Sequence, residues 1–596
     1  MTSKRITRLE IMYRYVLRLT KRLTDRQLMM ILAVIVGALA AVGTYVFETL
    51  LHWIKEGLVG WFSPDSASPM YFVYPVVGII LASLFVKYLV KDNISEGVTR
   101  VLYAIAKKGS RIKAHNCYTS IIGGATTIGF GGSVGPEAPI VLTGSAIGSS
   151  VGKFMRMNYK QTTMLLGCGA AAALAAIFKA PITGVIFVLE ILMLDITMGA
   201  VIPLVLASVT ATTLIFFLKG FDPVLEVMGV EGFQLANIPM YLVLGLMCGL
   251  VSFYFTAVNG KIAHWFEGMK TMYRKWIVGG VILGVLIFVF PPLYGEGYEG
   301  FSDLMHGRIE NLFNNSLFYE YRDVPWLIGL YLVGILFFKV VAMATTNAAG
   351  GVGGTFAPSM FVGAFTGGSI AYIANTYLGM DLPILNFTLV GMAGVMAGVM
   401  KAPLTSIFLI AELSNGYSLF IPLMIVTCVA FVIGYYFEPS SIYTKKLEKT
   451  GDIVTHDKDR SVMVFLNLDE LMDTDFNTLP LDSTLGDAVQ TVAKARRNTF
   501  PVVDDEGHLT GIVQLDDLRG DMFNQAKYPT PIDRYMVPPP DKILQHEQIA
   551  GVLDKFEQTK AWVLPVVDKE GKYLGFVSKS RILAAYRQQL VEISEA

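Results

Sequence analysis

Long apolar segments recur along the chain from residue 27 to residue 436. Examples are LMMILAVIVGALAAVGTYVF, YLVLGLMCGLVSFYF and WIVGGVILGVLIFVF, which contain almost no charged side chains. A helix that spans a membrane needs roughly 20 consecutive apolar residues. The pattern therefore predicts many spanning helices and an all-α polytopic membrane protein over this part of the chain.

The apolar part contains an internal repeat. An offset of 222 residues (403 − 181) aligns FKAPITGVIFVLE at 178–190 with MKAPLTSIFLIAE at 400–412, and it also aligns two Gly/Pro motifs. Short segments interrupted by Gly and Pro at equivalent places in two halves are typical of transporters whose site lies between the halves. We expect partly short, broken helices in an inverted repeat, although parallel copies would give the same alignment.

A second repeat follows the last apolar segment. An offset of 64 residues (565 − 501) aligns FPVVDDEGHLTGIVQLDDL at 500–518 with LPVVDKEGKYLGFVSKSRI at 564–582. Each copy has a β-branched run, an acidic turn with Gly, a second strand and a short helix. This pattern predicts an α/β domain of two similar halves.

Composition and charge restrict the class of protein and its orientation. The chain is 53% hydrophobic and only 16% charged, and its 48 basic residues balance 48 acidic ones, so nothing indicates nucleic acid as a partner. The first 26 residues carry eight Lys and Arg without a signal-peptide core, which favours a cytoplasmic N-terminus in a prokaryotic plasma membrane. The predicted divisions are a basic segment 1–26, a membrane domain 27–447, a linker 448–466, and cytoplasmic α/β copies 467–525 and 526–596.

One acidic residue lies inside a predicted membrane segment. Glu137 stands between Pro136 and Pro139 in GFGGSVGPEAPIVLTGSAIG, where a short helix would begin. An intramembrane carboxylate is expensive, so it indicates function. The unpaired N–H groups and positive dipole end of a helix start attract an anion, or the carboxylate of the glutamate itself.

The second half of the repeat supplies a matching loop, NAAGGVGGTFAPSMFVGAFTGG, in which Pro358 opens another short helix. Neither loop contains Lys or Arg. A dehydrated anion can be bound by N–H and O–H donors and still be released quickly, whereas a fixed positive charge would hold it. Two helix starts are therefore predicted to face one small anion.

GPEAP, GGTFAP and SIYTKKL (441–447) resemble three motifs of the CLC family of chloride channels and anion/proton antiporters. The C-terminal repeat resembles a tandem pair of CBS domains. The resemblance implies that Glu137 is the gating residue and proton carrier. It also implies an anion-binding set consisting of Tyr443, Thr355, Phe356, Ala357, Ala138, Gly97 and Val98.

Two positions depart from the family pattern. Glu96 stands where a serine is usual, and a carboxylate beside an anion site would repel the ion. It must therefore point elsewhere, be protonated, or belong to a different register. Ile191 occupies the place of the inner glutamate that many exchangers have, and the neighbouring Glu190 is interpreted as structural, like its repeat mate Glu412.

In CBS pairs, adenine nucleotides often bind through a Ser/Thr and an Asp three residues later. The first copy keeps only Asp517 of this pattern and the second only Ser578. An adenine nucleotide is therefore a possible ligand, with a purely structural role as the alternative. No cofactor is required for transport.

The resulting hypothesis is a homodimeric membrane protein that exchanges chloride or a similar anion for protons, is gated by Glu137 and is regulated by its cytoplasmic CBS pair. A passive chloride channel gated by voltage or pH is the first alternative, and a CBS-regulated cation transporter is a more distant one. The four cysteines lack CxxC spacing and are interpreted as small core residues rather than metal ligands. An enzyme is not expected, because none of the seven histidines lies well inside an apolar segment.

Overall fold

The structure, a computed structural model, describes residues 23–59, 70–192, 198–225, 227, 229–414, 416–449, 468–495, 497–547 and 549–595. The chain divides into two compact units, Met1–Ile453 and Val454–Ala596. Most of the predicted basic segment 1–26 and of the linker 448–466 lies outside the described residues.

The regular elements in the described part of the first unit are helices. Its α-helices are α1 Asp25–Val59, α2 Met70–Leu84, α3 Gly97–Lys107, α4 Asn116–Gly129, α5 Glu137–Phe154, α6 Tyr159–Phe178, α7 Pro181–Glu190, α8 Met198–Lys219, α9 Ile238–Glu267, α10 Met272–Val289, α11 Tyr298–Met305, α12 Pro325–Ala348, α13 Phe356–Leu378, α14 Ile384–Met400, α15 Pro403–Leu413, α16 Phe420–Phe437 and α17 Lys445–Lys449. Among the described residues, nine helices are long and apolar enough to cross a membrane. The predicted polytopic membrane domain is confirmed.

The repeat is visible in the helix boundaries. Helices α6 and α14 both end one residue before a lysine, and α7 and α15 both begin at a proline two residues after it. Lys179 and Lys401 have left-handed backbone angles, φ 53° and 59°, which end the preceding helix. The Lys179 ammonium group donates to the carbonyl of Asp222 at 2.5 Å, and that of Lys401 to Gly398 at 2.7 Å. Both side chains therefore have a helix-end role.

Helices α7 and α15 cap each other. The Glu412 carboxylate, at the end of α15, accepts from the Thr183 backbone N–H at 2.8 Å and from its hydroxyl at 2.5 Å, near the start of α7. In the reverse direction, the Glu190 carboxylate accepts from the N–H and the hydroxyl of Thr405, both at 2.7 Å. Since the end of each helix meets the start of the other, these equivalent helices are antiparallel, as an inverted repeat predicts. The structural interpretation of both glutamates agrees with these contacts.

The cysteines do not all lie in the core. Cys168 and Cys248 are buried, but Cys117 is only half-buried and Cys428 is exposed. The expectation of four core residues is therefore wrong for Cys428. Residue 428 lies on the spanning helix α16, whose outward side chains are also apolar, so exposure there needs no polar side chain.

The second unit has two similar halves. The first contains β1 Leu479–Pro480, α19 Leu485–Lys494, β2 Thr499–Val503, β3 Leu509–Gln514 and α20 Leu515–Leu518; the second contains β4 Ile543–Leu544, α21 Ile549–Thr559, β5 Val563–Val567, β6 Tyr573–Ser578 and α22 Lys579–Glu595. The helix α18 Leu468–Leu471 precedes both halves in the chain and packs into the core of the second. In each half a short parallel strand and an antiparallel strand flank the central strand. The predicted α/β pair is confirmed.

The two halves of this unit are joined through equivalent positions. The Leu509 N–H donates to the Gly571 carbonyl at 3.1 Å, and the Tyr573 N–H donates to the Gly507 carbonyl at 3.0 Å. Both pairs are related by the sequence offset of 64. Backbone N–H and carbonyl groups at the strand edges of the two copies therefore form hydrogen bonds with each other.

Candidate functional site

The two predicted loops meet before α5 and α13. The Gly135 N–H donates to the Gly354 carbonyl at 3.0 Å, and the Gly354 N–H donates to the Gly135 carbonyl at 2.8 Å. This two-bond bridge fixes the starts of the two helices beside each other. Residues 219 positions apart, Glu137 and Phe356, are thereby brought into contact.

The side-chain carboxylate of Glu137, the first residue of α5, lies at the start of α13. Its side chain is buried, with 1% exposed, and one carboxylate oxygen accepts the Phe356 N–H at 2.6 Å. The other oxygen, Oε2, has no hydrogen-bond partner among the described residues. A carboxylate thus rests on the positive end of a helix dipole, on an N–H group that the family resemblance assigns to the anion.

Two glycines make room for this carboxylate. A Cβ atom at Gly135 would lie 2.0 Å from one carboxylate oxygen of Glu137, and a Cβ at Gly354 would lie 2.0 Å from the other. Neither position tolerates a side chain while the carboxylate stays in place. The glycines of both loops are therefore required by the close approach of Glu137.

We expect Gly354→Ala to displace the Glu137 carboxylate from the Phe356 N–H, because the added methyl group takes its place. The factor by which external pH changes the rate of anion efflux should be at least about tenfold smaller than in the wild type. A tenfold change corresponds to about 1.4 kcal/mol of free energy for pH-dependent closure. Gly329→Ala is the control, since its Cβ would meet only one atom, at 4.0 Å. An unchanged pH profile for Gly354→Ala would contradict this account.

Tyr443 is positioned by its backbone. The Thr99 hydroxyl donates to the Tyr443 carbonyl at 3.2 Å, and the preceding Ile442 N–H donates to Val399 at 3.3 Å. The hydroxyl oxygens of Tyr443 and Thr355 are both buried, and neither has a hydrogen-bond partner among the described residues. Two buried O–H donors are therefore present near Glu137.

A cavity of about 360 Å³ connects these groups. It is lined by five of the residues predicted to bind the anion: Gly97, Val98, Ala138, Thr355 and Tyr443. Phe356 and Ala357 do not line it, and the Phe356 N–H is taken by Glu137. Helix α3 begins directly against α5, because a Cβ at Gly97 would lie only 2.0 Å from the Ala138 carbonyl oxygen. The structure thus places three helix starts around one space.

Glu96 is the N-cap residue of α3, and its side chain makes no capping hydrogen bond. Its carboxylate forms an ion pair with the Lys446 ammonium group at 2.9 Å, and both side chains are about half exposed, at 43% and 56%. Of the three alternatives for this residue, the structure supports the first: the side chain points toward a cation at the mouth of the cavity. This partner lies 350 residues away and could not be identified from sequence patterns.

A buried lysine was not anticipated. The Lys339 ammonium group, on α12, donates to the Gly295 carbonyl at 2.9 Å and lies 4.7 Å from the centre of the Phe361 ring. The Gly295 N–H in turn donates to Gly131, in the first loop, at 3.3 Å. Lys339 therefore supports the backbone beside the Glu137 loop. The only available signal was a lysine inside an apolar segment.

The two candidate nucleotide residues make local contacts at helix starts. The Asp517 carboxylate accepts the Gln514 N–H at 3.2 Å, and the Ser578 hydroxyl accepts the Arg581 N–H at 3.3 Å. These contacts begin α20 and α22. Nucleotide binding at these residues stays a prediction.

The fold and the site together define a class of protein. Broken helices from two inverted copies converge, through their N-termini and two hydroxyl groups, on a buried carboxylate inside a polytopic membrane domain. Such a site suits a small anion. A sequence model described as voltage gated chloride channel matches residues 77–435, and the chain belongs to this family, whose members are transporters and channels. CBS domains match residues 468–523 and 532–588.

Several known proteins are similar to this chain. A protein of Ralstonia nicotianae that is named "Putative chloride channel protein ClcB-like" is 26% identical over 436 residues, covering 71% of this chain and 97% of that protein. The H(+)/Cl(-) exchange transporter ClcA of Vibrio parahaemolyticus is 27% identical over 438 residues, covering 71% and 89%. The crystal structure of a eukaryotic CLC transporter matches with a TM-score of 0.61 at 18% identity, covering 94% of this chain and 99% of that one, which shows a shared fold.

Proposed function

We propose that this protein exchanges chloride, or a similar small anion, for protons across a membrane, and that Glu137 is both its gate and its proton carrier. The observation that carries the proposal is the 2.6 Å hydrogen bond from the Phe356 N–H to the Glu137 carboxylate. A carboxylate here excludes an anion from the same helix start. Relatives named as exchange transporters support the coupled form of transport over a passive channel.

Protonation is the step that opens the site. A neutral carboxyl group loses its attraction to the helix start, leaves the Phe356 N–H and carries its proton with it. The anion then binds the vacated Phe356 N–H and the neighbouring Ala357 N–H. The hydroxyls of Tyr443 and Thr355 replace part of its hydration shell, and the helix starts at Gly97 and Ala138 line its path.

The donors at the site favour an anion over a cation. The groups that surround the cavity near Tyr443 are backbone N–H and hydroxyl groups rather than several converging carboxylates. The role of the protein is accordingly transport rather than catalysis. A passive channel is the alternative. It would use the same anion-binding groups and the same gate, but it would not move protons in a fixed ratio to the anion.

Orientation and assembly form a second part of the proposal. Both termini face the cytoplasm of a bacterial plasma membrane, which the eight Lys and Arg among the first 26 residues support. Two copies, each with its own pore, form a homodimer in the lipid bilayer, as the family resemblance implies. Protease digestion of the CBS domains in inverted but not in right-side-out vesicles, and the protein mass measured by light scattering, test these two statements.

We expect wild-type protein in proteoliposomes with a chloride gradient to release chloride while protons enter in a fixed ratio. Chloride efflux is measured with an electrode while external pH is recorded simultaneously. Valinomycin and potassium are added to dissipate the membrane potential. Chloride efflux without a proton signal would contradict coupled exchange and support the passive channel. Absence of any anion movement, in protein shown to be folded, would contradict anion transport itself.

A further inference from the structure

The mouth of the cavity carries a charged pair that anion gating does not use. Glu96 and Lys446 both line the cavity that extends to Tyr443, and they pair at 2.9 Å. Glu96 directly precedes Gly97 at the start of α3, and Lys446 lies three residues after Tyr443. An ion that enters from this side therefore passes the pair before it reaches the hydroxyl groups.

The other charged side chains that line the mouth of the cavity have different surroundings. The Lys445 side chain is paired with Glu438, on the same chain segment. The His264 ring lies 3.9 Å from the Glu267 carboxylate, and Lys275 is the remaining basic residue of the lining. Lys446 differs from these residues because it pairs with a carboxylate, Glu96, at a helix start of the site.

The pair is weak enough to open. Both side chains are about half exposed, and exposed ion pairs are worth little because water and salt screen them. A chloride ion that arrives from solution can therefore compete with the Glu96 carboxylate for the Lys446 ammonium group. The ammonium lies outside the buried site, so it attracts the ion without holding it where release must be fast.

We propose that Lys446 is the first binding residue for an anion entering from this mouth, and that Glu96 competes with the anion for it. The pair thereby sets the chloride concentration at which transport from this side is half-saturated. The Glu96 carboxylate competes with the anion for the Lys446 ammonium group, which a neutral side chain at this position would not do. This inference rests on the proposed anion transport and adds a specificity-determining pair to it.

The test is chloride transport at graded chloride concentrations from the Lys446 side, in vesicles of determined orientation and low ionic strength. A unit charge about 4 Å away in water changes the affinity for an anion about fivefold. Glu96→Gln should therefore lower the half-saturating concentration about fivefold, and Lys446→Gln should raise it by at least as much. The double variant should fall between the two, and an inert salt of an impermeant anion should reduce all the differences.

Three controls separate this role from a structural one. Lys446→Arg keeps the charge and should behave as the wild type. Gln substitutions at Lys55 and Glu299, an exposed pair at 2.6 Å that does not line the cavity, should change nothing. If Glu96→Gln and Lys446→Gln shift the half-saturating concentration in the same direction, the pair only fastens two segments together and the inference is overturned. Equal values for all variants, with chloride still transported, overturn it while leaving the proposed function intact; a wild type that transports no chloride refutes the proposed function.

Discussion

Glu137→Ala is expected to abolish proton movement while chloride efflux continues. The methyl group of alanine cannot reach the Phe356 N–H, so the helix start that Glu137 now occupies stays open to the anion. It also carries no proton, so the exchange loses its second substrate. In proteoliposomes with a chloride gradient, proton uptake should fall to the background of empty vesicles, and chloride efflux should lose its dependence on pH.

The control for this experiment is Glu299→Gln, an exposed carboxylate in the same unit. It should retain both fluxes in the wild-type ratio. Proton uptake that survives Glu137→Ala would remove this residue from the proton path and transfer the role to another group. Loss of both fluxes in correctly folded protein would instead show that Glu137 is needed to keep the site open to anions.

The second large effect is expected at the crossed caps of α7 and α15. Glu190→Ala or Glu412→Ala leaves two backbone N–H groups and a threonine hydroxyl without their acceptor in an apolar surrounding. Each substitution should lower the free energy of unfolding by about 2 kcal/mol, because it leaves polar groups without their hydrogen-bond acceptor. Unfolding by denaturant in detergent micelles measures the loss.

The two caps should act independently. They lie at opposite ends of a helix pair about 15 Å long, given 10 residues in α7, so the double alanine variant should lose close to the sum of the two single losses. Gln at either position keeps one acceptor oxygen and should lose less than Ala. A double variant no less stable than either single one would argue against two separate caps.

Periodicity and repetition were sufficient to predict much of the membrane domain. The offset that aligned Pro181 with Pro403 also aligns the boundaries of α7 and α15, because a proline that begins a helix marks the same geometry in both copies. The direction of one copy relative to the other was not available from sequence alone. It became clear only when Glu412 was seen to cap a helix that begins 231 residues earlier, at Pro181 (412 − 181).

The site shows the same limit. Glu137 was identifiable because an acid in an apolar segment needs a reason. Its contact with the Phe356 N–H, and the ion pair between Glu96 and Lys446, join residues separated by 219 and 350 positions. Single-sequence patterns record local preferences, and nothing local distinguishes a carboxylate that repels an anion from one that is held by a lysine.

The crossed caps also impose an order on biosynthesis. When α7 enters the membrane from the ribosome, Glu412 has not yet been translated, and the Ile182 N–H that it will bind must wait for 230 further residues. During that interval the start of α7 needs another acceptor, which only water, lipid headgroups or the insertion machinery can supply. The first half of the membrane domain is thus a nascent intermediate that reaches its final hydrogen bonding only after the second half has been inserted.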